Sequence, residues 1–245
     1  MWIELLLITI ILLAGSFVQG VSGFGFGLIA MSFMPLIFTV KDSTLLVVSL
    51  ALVVCTSIAW QLRRHIVWRS LLVILSAAFV GRFGGFLVLS AYGELDVMRD
   101  ILGLFLLLVT AYLFFGSKYA QMLPKETIWI PVVFGFLGGF VGGIYAVGGP
   151  FFVVVMMLLF ADSKYRYSAN LQVTFFVTNL TTVLLHAFNG DFSSEFPFYF
   201  AVGLLTVLVG TRLGVACFKK LSQDNMRRIA GITVALAAVN LIFFQ

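Results

Sequence analysis

The chain has 245 residues, of which 62% are hydrophobic and only 10% charged, with a mean hydropathy of +1.13. Soluble domains carry about 25% charged residues, so the composition excludes a soluble globular domain and indicates an all-α polytopic membrane protein. The net charge of +5 does not point to nucleic acid, because the basic residues are spread over short loops between apolar runs.

In chain order those runs are 2–40, 44–62, 68–90, 97–116, 128–160, 168–188, 196–217 and 226–244. About 20 apolar residues suffice to cross a bilayer, and the runs leave no room for a soluble domain. The start, Met-Trp-Ile-Glu, lacks the basic region of a cleaved signal peptide, so the N-terminus is expected to be retained.

The first run contains "GSFVQGVSGFGFGLIAMSFMPLIF", with five glycines and Pro35. Both residue types weaken helices, and hydrocarbon tolerates an interrupted backbone only where protein or a water-filled cavity covers it. The run is read as a helical hairpin broken at a lined site, with Ser16, Gln19 and Ser22 as polar groups beside the break. A second glycine-broken hairpin is expected at "GGFVGGIYAVGGPFF" in the run 128–160.

Arg82 lies thirteen residues beyond Arg69, about 20 Å into the membrane at ~1.5 Å per residue. That depth is beyond easy snorkelling and marks either an anion path or a bond to buried backbone carbonyls. All ten acidic residues fall in loops or at run ends, so neither a deep counter-ion nor a buried carboxylate relay is expected. The run 168–188 is rich in polar groups, and its Asn179, Thr182 and His186 recur at i, i+3 and i+7 on one helix face. That face is read as pore-lining, with His186 the proton-linked candidate. Arg212, seven residues before Lys219, lies only ~10 Å from the surface and is the approximate counterpart of Arg82. Cys55 and Cys217 have no metal or redox spacing and are read as packing residues.

The chain repeats itself. "DVMRDILGLFLLLVTAYLFF" (96–115) is answered by "DNMRRIAGITVALAAVNLIF" (224–243), "SFVQGVSGFGFGL" (16–28) by "GFVGGIYAVGGPF" (139–151), and "VGRFGG" (80–85) by "VGTRLG" (209–214). The two halves are therefore 1–120 and 121–245, within one membrane domain. If each broken run enters and returns on one side, eleven loop basic residues share a side against Lys41 and Arg99 opposite. A single crossing gives eight against five. The positive-inside rule favours the first arrangement, with both termini external. Each half then holds a hairpin plus three transmembrane helices, an odd count of crossings that makes the repeats inverted, as in transporters that rock around a central site.

"GSFVQGVSGFGFGLIA" and "GGFVGGIYAVGGPFF" resemble the paired glycine motifs of the sulfite exporter TauE/SafE family, over essentially the whole chain. The resemblance implies a permease of the bacterial inner membrane, not an enzyme, that exports small sulfur-containing anions such as sulfite or organosulfonates like sulfoacetate. It marks Gly20, Gly23, Gly25 and Gly27 in one half and Gly143, Gly148, Gly149 and Pro150 in the other. The expected substrate site comprises Gln19, Ser22, Gly23, Gly25, Arg82, Gly148, Gly149, Asn179, Thr182 and Arg212. No cofactor is expected, and energy is expected from gradients because no nucleotide motif is present. The expected partners are the lipid bilayer and the small anion, with no nucleic acid.

Three other readings fit parts of the sequence. A permease could carry a different small organic or inorganic anion. "GVSG" (20–23) matches the string of a GxSG intramembrane serine protease, with Ser22 as nucleophile and His186 or His65 as base. The third is a non-transporting interaction protein whose glycines act purely as packing motifs, since Gly81/Gly85 and Gly210/Gly214 are small-xxx-small pairs suited to helix packing or to a homodimer interface.

Overall fold

The computed structural model describes residues 2–111 and 127–218. They form α1 (Trp2–Ser22), α2 (Phe26–Phe33), α3 (Val40–Leu62), α4 (Trp68–Tyr92), α5 (Val97–Ala111), α6 (Trp129–Tyr145), α7 (Gly149–Leu159), α8 (Lys164–Asn189) and α9 (Phe196–Phe218). Single 3-10 turns follow α2 and α3, and the described residues contain no strand. Helices α1, α3, α4, α8 and α9 are long and apolar enough to cross a membrane, whereas α2, α6 and α7 are shorter. The protein is thus an all-α, multi-pass membrane protein. The repeat partner at 224–243 lies outside the described residues.

Local chemistry sets the helix ends. Thr39 accepts a hydrogen bond from the Asp42 amide at 3.0 Å to open α3, and Ser163 accepts from the Arg166 amide at 3.3 Å to open α8. Gly190 closes α8 in the left-handed conformation (φ 74°). The glycine-rich runs break after Ser22 and after Tyr145. Gly23 (φ 85°) and Gly25 (φ 117°) make the first turn, and Ala146 (φ 57°) makes the second. Ala146 is the one non-glycine with positive φ among the described residues. Gly15 and Gly20 do not interrupt α1, so the first limb of that hairpin is long enough to span and only its second limb, α2, is short.

Glycine also explains how the long helices meet. α1 packs on α9, α4 on α6, and α3 on α8. A Cβ on Gly81 of α4 would strike the Phe136 carbonyl and the Phe140 amide nitrogen, and one on Gly210 of α9 would strike the Leu13 carbonyl and approach the Phe17 amide nitrogen. Gly143 faces Gly85 and the Arg82 carbonyl, as Gly20 faces Gly214 and the Thr211 carbonyl. Each pair of contacts is the other shifted by the sequence repeat. Such backbone-to-backbone approach is how helices associate where lipid removes the hydrophobic drive between them.

The outer surface suits hydrocarbon. Leu72, Phe79, Val80, Phe83 and Leu87 of α4, and Leu205, Val209 and Leu213 of α9, are exposed. Trp60, Trp68 and Trp129 are exposed near the ends of α3, α4 and α6. Trp60 carries Arg63 4.5 Å above its ring, the pairing of aromatic and basic groups expected at a membrane interface.

Candidate anion site

The two helix breaks face one another. The first turn of α2 abuts the second break closely enough that a Cβ on Gly27 would fall on the Ala146 carbonyl oxygen. Between them lies a cavity of about 30 Å³, room for some two water-sized groups at about 10–15 Å³ each. Gln19, Gly25 and Gly27 line it from the first break, Gly148 and Gly149 from the second, and Arg82 and Asn179 from α4 and α8. The helix N-termini of α2 and α7 therefore open on the same space.

Polar side chains hold both breaks. Gln19 Nε2 donates to Gln172 Oε1 at 3.0 Å, its Oε1 accepts from the Phe26 amide at 3.3 Å, and Gln172 Nε2 donates to the Gly23 carbonyl at 2.6 Å. On the other side, Thr44 donates to the Ile144 carbonyl at 2.9 Å. Together with Arg82, these bonds satisfy carbonyls that the ends of α1 and α6 would otherwise leave bare.

Arg82 is 2% exposed. Its Nη1 donates to the Gly142 carbonyl at 2.6 Å and to Thr182 Oγ1 at 2.9 Å, and its Nη2 donates to Asn179 Oδ1 at 3.1 Å and Thr178 Oγ1 at 3.3 Å. Its Nε is buried without a partner. Every acceptor is neutral, and no carboxylate among the described residues pairs with the guanidinium. A buried cation that lacks a counter-ion is costly, and it borders a cavity that could admit one. The bond to a helix-end carbonyl expected of Arg82 is thus present, and among the described residues its charge has no carboxylate beside it.

The seam between α4 and α8 continues from this point toward one end of the helices. One turn beyond Arg82 and Thr182, the Phe86 and His186 rings meet edge-on with centroids 4.8 Å apart. One further turn on, Ser90 donates to Asp191 at 2.9 Å. Asp191 also lies 2.6 Å from His186 Nδ1, 3.0 Å from Asn189 Nδ2 and 3.1 Å from Lys41 Nζ, and Lys41 reaches Glu94 at 3.3 Å. The cluster ties Lys41, Ser90 and Glu94 of the first half to His186, Asn189 and Asp191 of the second.

Burial pushes the Asp191 carboxyl up, but hydrogen bonds from Asn189, His186, Lys41 and Ser90 outweigh it and hold the group well below the usual carboxylate range. A depressed folded pKa gives stability that is complete above the unfolded value of about 3.9 and lost as pH falls through the folded one. The wild-type melting temperature should therefore keep the Asp191 contribution when pH is lowered from 7 to about 5. Asp191→Asn should lower it at both pH values, by about 2–4 °C per kcal/mol lost. Thermal unfolding in detergent at the two pH values checks both statements.

The structure thus brings together Gln19, Gly25, Arg82, Gly148, Gly149, Asn179 and Thr182. Gly23 supports the site by its backbone, through Gln172, and does not line the cavity. Ser22 is turned away, donating to the Val18 and Phe24 carbonyls at 2.8 and 2.5 Å. Its hydroxyl is bonded to neither His65 nor His186, the two bases the GxSG reading requires. His186 belongs to the Asp191 cluster, not to the cavity. Arg212 is exposed on α9, while the position that matches Arg82 in the packing register is Thr211, buried with an unpartnered hydroxyl. Gln172 and Thr178, which belong to the polar run 168–188 but not to the expected site set, complete the site with the Gly142 carbonyl. Gln172 was legible in principle, since it lies seven residues before Asn179 on the same helix face.

No curated protein and no solved structure matches the chain. The family model described as sulfite exporter TauE/SafE matches residues 7–241, nearly the whole length. With that match beside helices able to cross a membrane and a site built from two glycine breaks, the chain belongs to the sulfite exporter TauE/SafE family of membrane permeases.

Proposed function

We propose that the protein is a secondary transporter that exports small sulfur-containing anions, sulfite or organosulfonates, across the bacterial inner membrane by alternating access. The observation that carries this reading is Arg82, a buried cation without a carboxylate partner among the described residues, beside a cavity between two helix breaks. The halves 1–120 and 121–245 act as inverted repeats with both termini external. The matched glycine contacts of α1 with α9 and of α6 with α4 support that relation. Opening toward the outside separates α4 from α8 past Phe86 and His186 and breaks the Lys41–Asp191 bridge.

An anion leaving a cell that is negative inside gains ~2.3 kcal/mol per charge per 100 mV. Export therefore needs no obligate coupling ion in this mechanism. The test is flux in proteoliposomes under a potassium diffusion potential without a pH gradient, with sulfite and acetate compared. Sulfite flux that follows the voltage is the expected result. Flux that appears only with a pH gradient at clamped voltage overturns potential-driven export, and equal acetate flux favours a general small-anion permease.

A further inference from the structure

We propose that the site selects by valence: it accepts singly charged oxyanions, namely bisulfite and short alkanesulfonates, and rejects doubly charged ones such as sulfate, the sulfite dianion and sulfoacetate. The inference rests on the transport reading above and narrows its substrate class.

Charge comes first. Of the twelve residues lining the cavity, Arg82 alone is charged. The N-termini of α2 and α7 add partial positive charge there, but the C-termini of α1 and α6 end at the same two breaks with the opposite sign. The dipoles offset each other, so the fixed charge is close to that of one guanidinium. One negative charge neutralises it. A second would be an isolated charge in a low-dielectric cavity, which proteins avoid at large cost.

The donors agree with the charge. A guanidinium has five N–H groups. Its Nη1 and Nη2 each make two bonds, to Gly142 and Thr182 and to Thr178 and Asn179, so Nε is the nitrogen left without a partner. The two-pronged Nη fork that grips carboxylate and phosphate oxygens is therefore committed to the protein, which leaves one donor for an incoming anion. A cavity with room for about two water-sized groups must widen to admit a sulfur oxyanion, and Leu28, Ala51, Val147 and Phe175 then give it an apolar side. A protonated sulfur oxyanion or a methyl-bearing sulfonate can turn a weakly hydrated face to it, and a second ionised group cannot.

Among the described residues, the buried titratable side chains of the surrounding helices besides Arg82 are Cys55 on α3, Tyr145 on α6, and Tyr167 and His186 on α8, and none of these four lines the cavity. Titration of the Lys41, Glu94, His186 and Asp191 cluster at the seam acts on every substrate alike, so the pH dependence of the substrate itself is read from the ratio of two fluxes. Proteoliposomes holding the wild-type protein are assayed with methanesulfonate, a permanent monoanion, sulfate, a permanent dianion, and sulfite at a series of pH values. Methanesulfonate should move at least ~100-fold faster than sulfate. Sulfite flux, divided by methanesulfonate flux at the same pH, should fall about tenfold per pH unit once pH exceeds the second ionisation of sulfite. Sulfate flux close to that of methanesulfonate, or a sulfite ratio that rises with pH, overturns valence selection and leaves sulfur-anion transport standing. A monodisperse protein that moves none of the three overturns both.

Discussion

Arg82→Gln is expected to reduce sulfite flux in proteoliposomes by roughly 30-fold or more, the equivalent of the ~2–5 kcal/mol lost when one partner of a buried charge pair is removed. Glutamine retains one amide group to donate toward the Gly142 carbonyl or α8, but it removes the charge next to the cavity. Its single amide also cannot serve four acceptors on two helices, so the melting temperature should fall as well. Arg82→Lys separates the two effects: the charge stays, while a single ammonium with three donors replaces the planar fork. Lysine should keep measurable flux with the same loss of thermal stability as glutamine. A monodisperse Arg82→Gln protein with wild-type flux would remove the arginine from the mechanism altogether.

The second large effect is steric. A Cβ at Gly27 would fall on the backbone carbonyl of Ala146, and a backbone atom cannot rotate aside. Gly27→Ala should therefore force the two breaks apart, at the ~1–3 kcal/mol usual for overpacking, and lower both melting temperature and flux about tenfold or more in the latter case. Gly149→Ala is the matched control. It lines the same cavity, yet the nearest atoms to its added Cβ are 3.6 Å away on Phe175 and 3.7 Å away on Phe24, an ordinary contact. That variant should melt like wild type. If the two substitutions behaved alike in melting temperature, the close approach of the breaks would not be what holds the site together.

The sequence made much of this legible for physical reasons. Five glycines in one apolar run are hard to reconcile with an uninterrupted helix, and an arginine far from either end of an apolar run needs buried partners. Asn179 and Thr182 share a helical face, and that face does meet Arg82. Other parts carried no such signal. Gly20 and Gly23 look equivalent in a string, but one sits inside α1 against another helix and the other ends it; only the tertiary contact with Gly214 tells them apart. Ala146 gives no hint of its left-handed backbone, because alanine ordinarily favours helix. Arg212 stands out by its charge, whereas helix packing follows the glycine register and makes Thr211 the counterpart of Arg82 in the other half. The Gly142 carbonyl was invisible because a backbone acceptor has no letter of its own.

That mismatch between Arg82 and Thr211 bears on direction. A device made of two interchangeable halves has mirror-image resting conformations of equal free energy, and no preference for facing either compartment. Placing a cation in one half and an uncharged hydroxyl at the matching position of the other lifts that degeneracy. If the halves exchange roles as proposed, the empty protein would rest facing one side more than the other, and a ligand that neutralises the cation would shrink the difference. Under the proposed alternating access, loading would bring the two conformations closer in free energy and unloading would restore the bias, so that the asymmetry of one residue pair would set how fast the empty protein returns while the potential sets the direction.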